Sequence, residues 1–173
     1  MTWEEVRQLH SEVAASLAAS AERIPADRWL TPRAEGKWTP AEIVEHLNLV
    51  YDALLRELNG GGAMKIRTKW WHRVLLRWTL VPKLLRGEPF PAGARAPRET
   101  RPAAANRDQQ AAVLGFRERA ARLESSAQEA LNSGPRRARL THAYFGSATV
   151  KEGVLLCARH IVHHHQQMKE SLS

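Results

Sequence analysis

The sequence CARHIVHHHQQM, residues 157–168, concentrates four of the chain's eight histidines in six consecutive positions. Neutral imidazole is a common ligand of transition metals, and it also exchanges protons near neutral pH. Two histidines four residues apart on a helix lie on neighbouring turns, so both rings can reach one metal ion at about 2.0–2.1 Å. His160 and His164 have this spacing, and His163 and His165 lie beside them. The segment therefore predicts part of a metal site.

Helical geometry separates these four histidines by direction. With about 100° between successive residues, His164 falls near the middle of the apolar face of the helix, and His160 lies about 60° from the centre on the same side. His163 and His165 lie farther out, about 120° and 80° from that centre. We expect His160 and His164 to point inward, and His163 and His165 to be solvated flank residues or to line the mouth of a site.

A third metal ligand has to come from another helix. His46 follows Ile43 by three residues and precedes Val50 by four, which places it on the buried face of its helix. Three histidines from two helices would hold a divalent ion and leave one position open to water or substrate. The alternative is that each ring packs in the core with its own partner. Burying rings without partners costs on the order of 1–3 kcal/mol each, which favours a shared ligand.

Four amphipathic helices are predicted to carry these residues, and no strand is predicted. Thr39 with Glu42, and Thr149 with Glu152, form capping-box patterns that fix the starts of the second and fourth helices. His10 lies at the edge of the apolar face of the first helix, where we expect a boundary packing residue. The predicted spans are residues 3–24, residues 40–59, residues 104–134, and residues 150 to the end of the chain.

The second and third helices are separated by residues 60–105, a segment too long for a hairpin loop. We therefore expect a single domain over residues 1–173 with a long crossover, so that these two helices run parallel. Within the crossover, the sequence KIRTKWWHRVLLRWTLVPKLL carries a basic stripe and an apolar stripe at helical spacing. The basic stripe contains Lys69, Arg73 and Arg77, and the apolar stripe contains Trp71, Val74, Leu75 and Trp78.

This extra helix has three interpretations. We expect its tryptophans to cover the open end of the bundle. Alternatively, a basic amphipathic helix of this kind can lie on an anionic membrane surface. If it covers a metal site, Arg73 and Arg77 would attract an anionic substrate or thiol cofactor.

Composition limits the class of protein. Apolar residues make up 43% and charged residues 25% of the chain, which is typical of a globular protein. A net charge of +8 leaves polyanion binding open, but no recognised nucleic-acid motif accompanies it. The single cysteine excludes an intramolecular disulfide, and the sequence contains neither a signal peptide nor an apolar run of about 18 residues. We expect a cytoplasmic protein.

Three motifs resemble the DinB-like superfamily: WTPAEIVEHL in the second helix, HAYFG before the fourth, and HIVHHHQQM within it. That family includes thiol-dependent transferases that use bacillithiol or mycothiol. The likeness is closest to a branch with His-Pro-x-Phe-Gly and His-x-x-His-His-x-x-Gln motifs, although Ala143 stands where proline is usual. The resemblance implies an all-α, DinB-like four-helix bundle with a long crossover that carries an extra helix. It also implies a metal site formed by His46, His160 and His164.

The resemblance leaves roles for further residues open. We expect His142, in THAYFG, to stabilise the turn, with proton transfer at the site as the alternative. Gln167 is expected to orient a ligand or a bound water, or else to pack against the first helix. Imidazole ligands suit zinc or nickel most closely, with iron or manganese as alternatives, and a low-molecular-weight thiol would be a second cofactor.

The functional prediction is a metal-dependent thiol transferase or hydrolase that acts on a small molecule. The first alternative is a metal-binding or interaction protein without turnover. The second is association with a membrane or a nucleic acid through the basic crossover. Homodimers are common among similar bundles, so a homodimer is also considered.

Overall fold

The computed structural model describes residues 1–91, 95–134 and 139–172. Within these ranges the chain is mostly helical, as the sequence predicts, and no helix combines the length and apolar character needed to cross a membrane. The elements in chain order are α1 (Trp3–Glu22), α2 (Pro40–Leu58), α3 (Trp70–Thr79), α4 (Val81–Arg86), a 3₁₀ turn (Arg98–Thr100), α5 (Gln109–Asn132), β1 (Arg139–His142), β2 (Gly146–Thr149) and α6 (Val150–Glu170).

Side-chain caps fix the starts of the long helices. The capping boxes predicted at Thr39 and Thr149 are present, and each hydroxyl accepts a hydrogen bond from the backbone N–H of the glutamate three residues later. The third long helix begins later than the sequence prediction of residue 104, because the Asp108 carboxylate accepts from the N–H of Ala111 and caps α5 there. Local hydrogen bonding therefore decides where each helix starts.

The long helices α1, α2, α5 and α6 form the bundle, and cross-helix contacts give their directions. The Asn48 amide contacts the Ala112 carbonyl at 3.5 Å, and Arg119 bonds to Asp52 at 2.8 Å. The order of residues along α2 therefore matches the order along α5, and the two helices run parallel. The chain between them has to return along the bundle, so the long crossover is confirmed.

One side of the bundle is less tightly closed than the others. The helix α1 packs extensively against α5 and α6, and α2 packs extensively against α5, whereas α2 and α6 contact each other only sparsely. The crossover and the β1–β2 hairpin lie at this opening, because both contact α2 or α6. This opening between α2 and α6 is the place where side chains of the two helices meet other parts of the chain.

The prediction that no strand occurs is wrong. Strands β1 and β2 pair antiparallel, with Leu140 opposite Ala148 and both side chains buried. The Glu57 carboxylate, near the end of α2, accepts hydrogen bonds from the Thr141 backbone N–H and hydroxyl at 2.8 and 2.7 Å. Each strand has only four residues, which is too short for alternating hydrophobicity to stand out in the sequence.

The prediction that the tryptophans of the crossover fill the open end of the bundle is also wrong. Trp70, Trp71 and Trp78 are 70%, 48% and 79% exposed. The opposite side of α3 faces the protein, where Leu76 joins a small apolar cluster. On that side the Arg77 guanidinium donates to both oxygens of the Glu152 carboxylate at 3.1 and 3.0 Å. This ion pair gives the basic stripe an inward partner and turns the apolar stripe outward.

A chain of side-chain hydrogen bonds in the core links the helices α1, α2 and α5. His10, which we expected at the edge of the apolar face, is fully buried. Its Nδ1 lies 2.8 Å from Glu124 Oε1, and its Nε2 lies 3.0 Å from the Tyr51 hydroxyl. Burial raises the pKa of the Tyr51 hydroxyl well above its usual value, so the hydroxyl keeps its proton and donates to Nε2. Both partners lie on other helices, so the sequence around His10 does not reveal them.

The capping box of α2 gives a test of the fold. Thr39→Ala removes the hydroxyl that satisfies the N–H of Glu42, so the free energy of unfolding should fall by about 1 kcal/mol. Chemical denaturation of the two proteins measures this difference. The control is Ser11→Ala on the exposed face of α1, which should not lower stability and should raise it by up to about 0.5 kcal/mol, because alanine is the better helix former. Equal stability of Thr39→Ala and the wild-type protein would contradict the role of the cap.

Candidate metal centre

Three histidine rings meet at the opening between α2 and α6. The Nε2 atom of His160 lies 3.3 Å from Nε2 of His46 and 3.0 Å from Nε2 of His164. One nitrogen from each ring lies within 4.8 Å of the other two, so the three residues form a group that could hold a metal ion. These are the three histidines that the facial analysis of the sequence selected.

Hydrogen bonds on the far side of two rings orient their nitrogens. The Nδ1 of His46 lies 2.6 Å from the Thr100 carbonyl oxygen, which can only accept, so Nδ1 carries the proton. The Nδ1 of His164 lies 2.9 Å from Oε1 of Gln167, and it donates in the same way. In the neutral rings, Nε2 of both residues therefore presents a lone pair towards the other histidines.

This donor set fits a divalent cation. Lone pairs that face each other at about 3 Å repel unless a hydrogen or a metal cation lies between them, and His160 can supply the hydrogen only when its proton is on Nε2. Ligand distances of about 2.0–2.1 Å in tetrahedral geometry place two nitrogens roughly 3.3–3.4 Å apart, close to the separations of 3.3 and 3.0 Å along the chain of rings. A hydrogen bond from the second ring nitrogen to a carbonyl or amide oxygen is also the usual support of a histidine ligand.

Burial keeps the three rings neutral. It lowers the pKa of His46 to about 4, even though the hydrogen bond to Thr100 acts in the opposite direction. Burial, together with the neighbouring histidines, lowers the pKa values of His160 and His164 well below the usual value. Because only neutral imidazole binds a metal, the site is in its binding form at neutral pH.

Aromatic side chains enclose the rings. The Trp38 ring is nearly parallel to that of His164, at 18° and 5.9 Å between centroids, and it also lies 4.8 Å from the His46 ring. Phe90, from the crossover, lies 5.4 Å from the His160 ring. Sequence reasoning did not assign either residue to the site. The available signal was the position of Trp38, which directly precedes the capping box of the helix that carries His46.

A cavity of about 890 Å³ opens beside the histidines, between α2, α6, the crossover and the hairpin. Most of its wall is apolar, with contributions from Leu76, Phe90 and Phe145. Its lining also contains four basic residues and, within the described part of the chain, no acidic one. The basic residues are Arg33, Lys37, Arg95 and Arg101, none of which the sequence analysis selected.

Arg73 and Arg77 do not occupy the position that the anion-attraction hypothesis requires. Neither residue lines the cavity, and the Arg77 guanidinium is bound to Glu152. The cations at the cavity come instead from the loop after α1 and from the crossover after α4. Residues in such loops follow no helical or strand periodicity, so the sequence does not predict which way their side chains point.

Gln167 and His163 form the outer support of the centre. The Gln167 carboxamide accepts from His164 through Oε1 and donates to Nε2 of His163 at 3.0 Å. His163 is half-buried and lines the cavity, which agrees with a position at its mouth. His165 points elsewhere, with its Nε2 2.8 Å from the Ser20 hydroxyl on α1.

His142 lies in the hairpin and lines the cavity, but it does not belong to the group of three histidines. Its Nδ1 accepts a hydrogen bond from the Tyr144 backbone N–H at 3.2 Å, and its ring stacks on Phe145 at 4.2 Å and 9°. These contacts support the expected structural role in the turn. Burial lowers the pKa of His142 to about 4.

The arrangement defines a class of protein: a helical bundle in which histidines from two helices form a centre able to bind a metal. The family model described as the DinB superfamily matches residues 8–168, and the chain belongs to that superfamily. No curated protein and no solved structure matches the chain significantly. The narrower likeness to the branch with two specific motifs stays a prediction.

The hydrogen bond between Gln167 and His164 can be tested by metal affinity. Gln167→Ala removes the group that holds His164 in its binding tautomer, so Zn²⁺ or Ni²⁺ should bind about 10- to 100-fold more weakly. Titration against a competing chelator measures the dissociation constant. The matched control is Gln166→Ala, one position earlier and exposed, which should bind as the wild-type protein does. Equal affinities of the two variants would exclude the orienting role of Gln167.

His142 should make the metal-free protein sensitive to acid. Above pH 6.5 the ring is neutral in both states, whereas between pH 6.5 and about 4 it binds a proton only when the chain unfolds. Stability should therefore fall as the pH is lowered through this window. His142→Gln should reduce the loss between pH 7 and pH 4.5 by up to about 2 kcal/mol.

Denaturation of chelator-treated protein at the two pH values measures this loss. The control is His72→Gln, at an exposed position of α3 outside the hairpin. If His142→Gln loses as much stability as the wild-type protein, the neutral state of His142 in the folded protein is wrong.

Proposed function

We propose that this DinB-superfamily protein binds one divalent metal ion through Nε2 of His46, His160 and His164, and that it transfers a low-molecular-weight thiol to an electrophilic small molecule. The observation that carries the proposal is the close approach of three histidine Nε2 atoms. Hydrogen bonds to the Nδ1 atoms of His46 and His164 fix the tautomers of these two rings. Zinc or nickel fits three imidazoles most closely, and iron or manganese is the alternative.

A divalent ion held by three neutral imidazoles is a Lewis acid that lowers the pKa of a thiol or water that it binds. The residues of the chain supply the rest of the site. Trp38 and Phe90 cover the histidine rings and limit the access of water to them. Thr100 and Gln167 keep two of the rings in the binding tautomer.

The thiol has to come from outside the chain. Cys157 is the only cysteine, and it lines the cavity, but burial raises the pKa of its thiol to about 12. It therefore stays protonated at neutral pH and is a poor nucleophile. This supports a dissolved thiol as the attacking group and assigns Cys157 to the cavity wall.

The cavity lining supports thiol transfer over hydrolysis. Metal-dependent hydrolases commonly use a carboxylate as general base beside the metal, and none of the described residues around this cavity is acidic. The apolar wall suits the body of an electrophilic organic compound. Lys37, Arg95 and Arg101 would attract a thiol that carries carboxylates or other negative groups, whereas the Arg33 guanidinium is already paired with the Glu170 carboxylate at 2.9 Å.

The proposed reaction is a nucleophilic substitution. The thiol loses its proton to water, its sulfur forms a bond to an electrophilic carbon, and the leaving group departs as an anion with the electrons of the carbon–leaving-group bond. We place the reaction in the cytoplasm, where small thiols are kept reduced.

The experiment combines metal content with turnover. Untagged protein should contain about one equivalent of divalent metal, and the double variant His160→Ala, His164→Ala should contain none, because it loses two of three ligands. Both proteins are then supplied with zinc or nickel and assayed with 1-chloro-2,4-dinitrobenzene and a panel of thiols: cysteine, glutathione, coenzyme A, bacillithiol and mycothiol. Thioether formation above the uncatalysed rate should occur only with the wild-type protein.

The matched control is His165→Ala, on the same helix, which should retain both metal and turnover because its ring points to Ser20. Metal binding without turnover of any thiol would support the alternative, a metal-binding protein that is not an enzyme. Absence of metal from the wild-type protein, even after zinc and nickel are supplied, would overturn the proposal.

A further inference from the structure

The outer face of α3 is an apolar surface without a partner in the described chain. Five large side chains form it: Trp70, Trp71, Val74, Leu75 and Trp78. Val74 and Leu75 are 49% and 53% exposed, and the three tryptophans are exposed to a similar or greater extent. Their spacing places them within one sector of the helix, about 140° wide. A continuous apolar strip of this kind on a helix marks a surface that binds something.

The charged residues of the segment that carries this strip have one sign, although glutamates from elsewhere in the chain pair with Arg67, Arg77 and Arg86. The segment from Gly60 to Gly87 contains seven lysine and arginine residues and no aspartate or glutamate. Lys65, Lys69 and Lys83 are exposed, and none of them forms an ion pair with another described residue. The segment therefore combines exposed tryptophans with cations that lack an internal counter-charge.

We propose that the outer face of α3 docks on the surface of an anionic lipid bilayer. A helix that lies in the interface buries tryptophan and leucine at the boundary between headgroups and acyl chains, and nearby lysines bind the anionic headgroups. Tryptophan suits this position because its ring is apolar while its indole N–H can still bond to polar groups. The charge of the segment and its apolar strip are both complementary to such a surface.

The orientation of α3 supports this surface as the binding face. The Arg77–Glu152 ion pair and the packing of Leu76 and Leu80 hold the inner face of α3 against the protein. Turning the tryptophans inward would break these contacts. The helix is therefore fixed with its apolar strip outward before any membrane is present.

A second copy of the chain and a nucleic acid fit this surface less well. In a symmetric dimer the same patch meets itself, so the unpaired lysines around one strip would approach those around the other and repel. The phosphates of a nucleic acid would neutralise the lysines but leave the aliphatic side chains Val74 and Leu75 without an apolar partner. An anionic bilayer satisfies both the cations and the apolar strip.

The experiment uses the full chain and sedimentation with lipid vesicles. Wild-type protein should bind vesicles of phosphatidylcholine mixed with phosphatidylglycerol, with a blue shift of tryptophan fluorescence. It should bind phosphatidylcholine vesicles much more weakly, and added salt should weaken binding to the mixed vesicles because it screens the headgroup charges. Binding should persist in His164→Ala, since the docking surface does not use the metal centre.

Two variants test the apolar strip and the charges separately. Leu75→Ser combined with Trp78→Ser should weaken binding at least about tenfold, because two large side chains that enter the interface are lost. The matched control is Leu114→Ser combined with Val162→Ser, which removes two exposed apolar side chains on α5 and α6.

Lys65→Glu with Lys69→Glu should weaken binding about tenfold or more, whereas the reversal of exposed Arg23 and Arg107 to Glu should have a smaller effect.

Two vesicle results would overturn the proposal: no binding of wild-type protein to the mixed vesicles at low salt, or equal losses of binding in the test and control variants. A dimer in solution that the Leu75→Ser, Trp78→Ser substitutions dissociate would assign the surface to a second copy of the chain. Tighter binding to single-stranded nucleic acid than to vesicles would also overturn it. Circular dichroism and thermal unfolding establish that each variant is folded. The side chains substituted on the docking surface and in its controls are exposed, so those variants should fold, and the variant at the buried His164 is compared only after its folding has been established.

Discussion

The meeting of three neutral imidazoles across the gap between α2 and α6 is the constraint on which the rest of the structure depends. Two of the rings present lone pairs to the third at distances of 3.3 and 3.0 Å, an arrangement that a cation stabilises. The rings therefore connect α2 and α6, two helices that contact each other only sparsely. The gap between these helices forms the cavity, so the histidine group and the cavity have one origin.

The crossover from α2 to α5 covers the opening between α2 and α6. Parallel α2 and α5 require a long connection, and this connection supplies Thr100 behind His46, Phe90 beside His160, and two of the arginines at the cavity. Its helix α3 has two different faces. The inner face contributes Leu76 to the cavity wall, to which Leu80 directly after the helix also belongs, and the outer face carries the tryptophans.

Burial gives the titratable groups around the cavity their chemical character. It lowers the pKa values of His46 and His142 to about 4 and raises that of Cys157 to about 12. The histidines are therefore neutral and available as ligands or hydrogen-bonding groups, whereas the cysteine is an inert wall residue. The same desolvation thus favours metal binding and excludes the chain's own thiol as a nucleophile.

The sequence by itself determined the four long helices and the inward faces on which His46, His160 and His164 lie, because helical periodicity and capping boxes depend on residues within one or two turns of each other. It also determined the long crossover, since its length alone excludes a hairpin. Only the tertiary structure decided the partners that lie far apart along the chain: Thr100 behind His46, Glu124 and Tyr51 beside His10, and Glu152 bound to Arg77. The last of these reversed the predicted orientation of α3, because an amphipathic pattern defines two faces of a helix but not which of them meets the protein. A charged partner on another element made that choice.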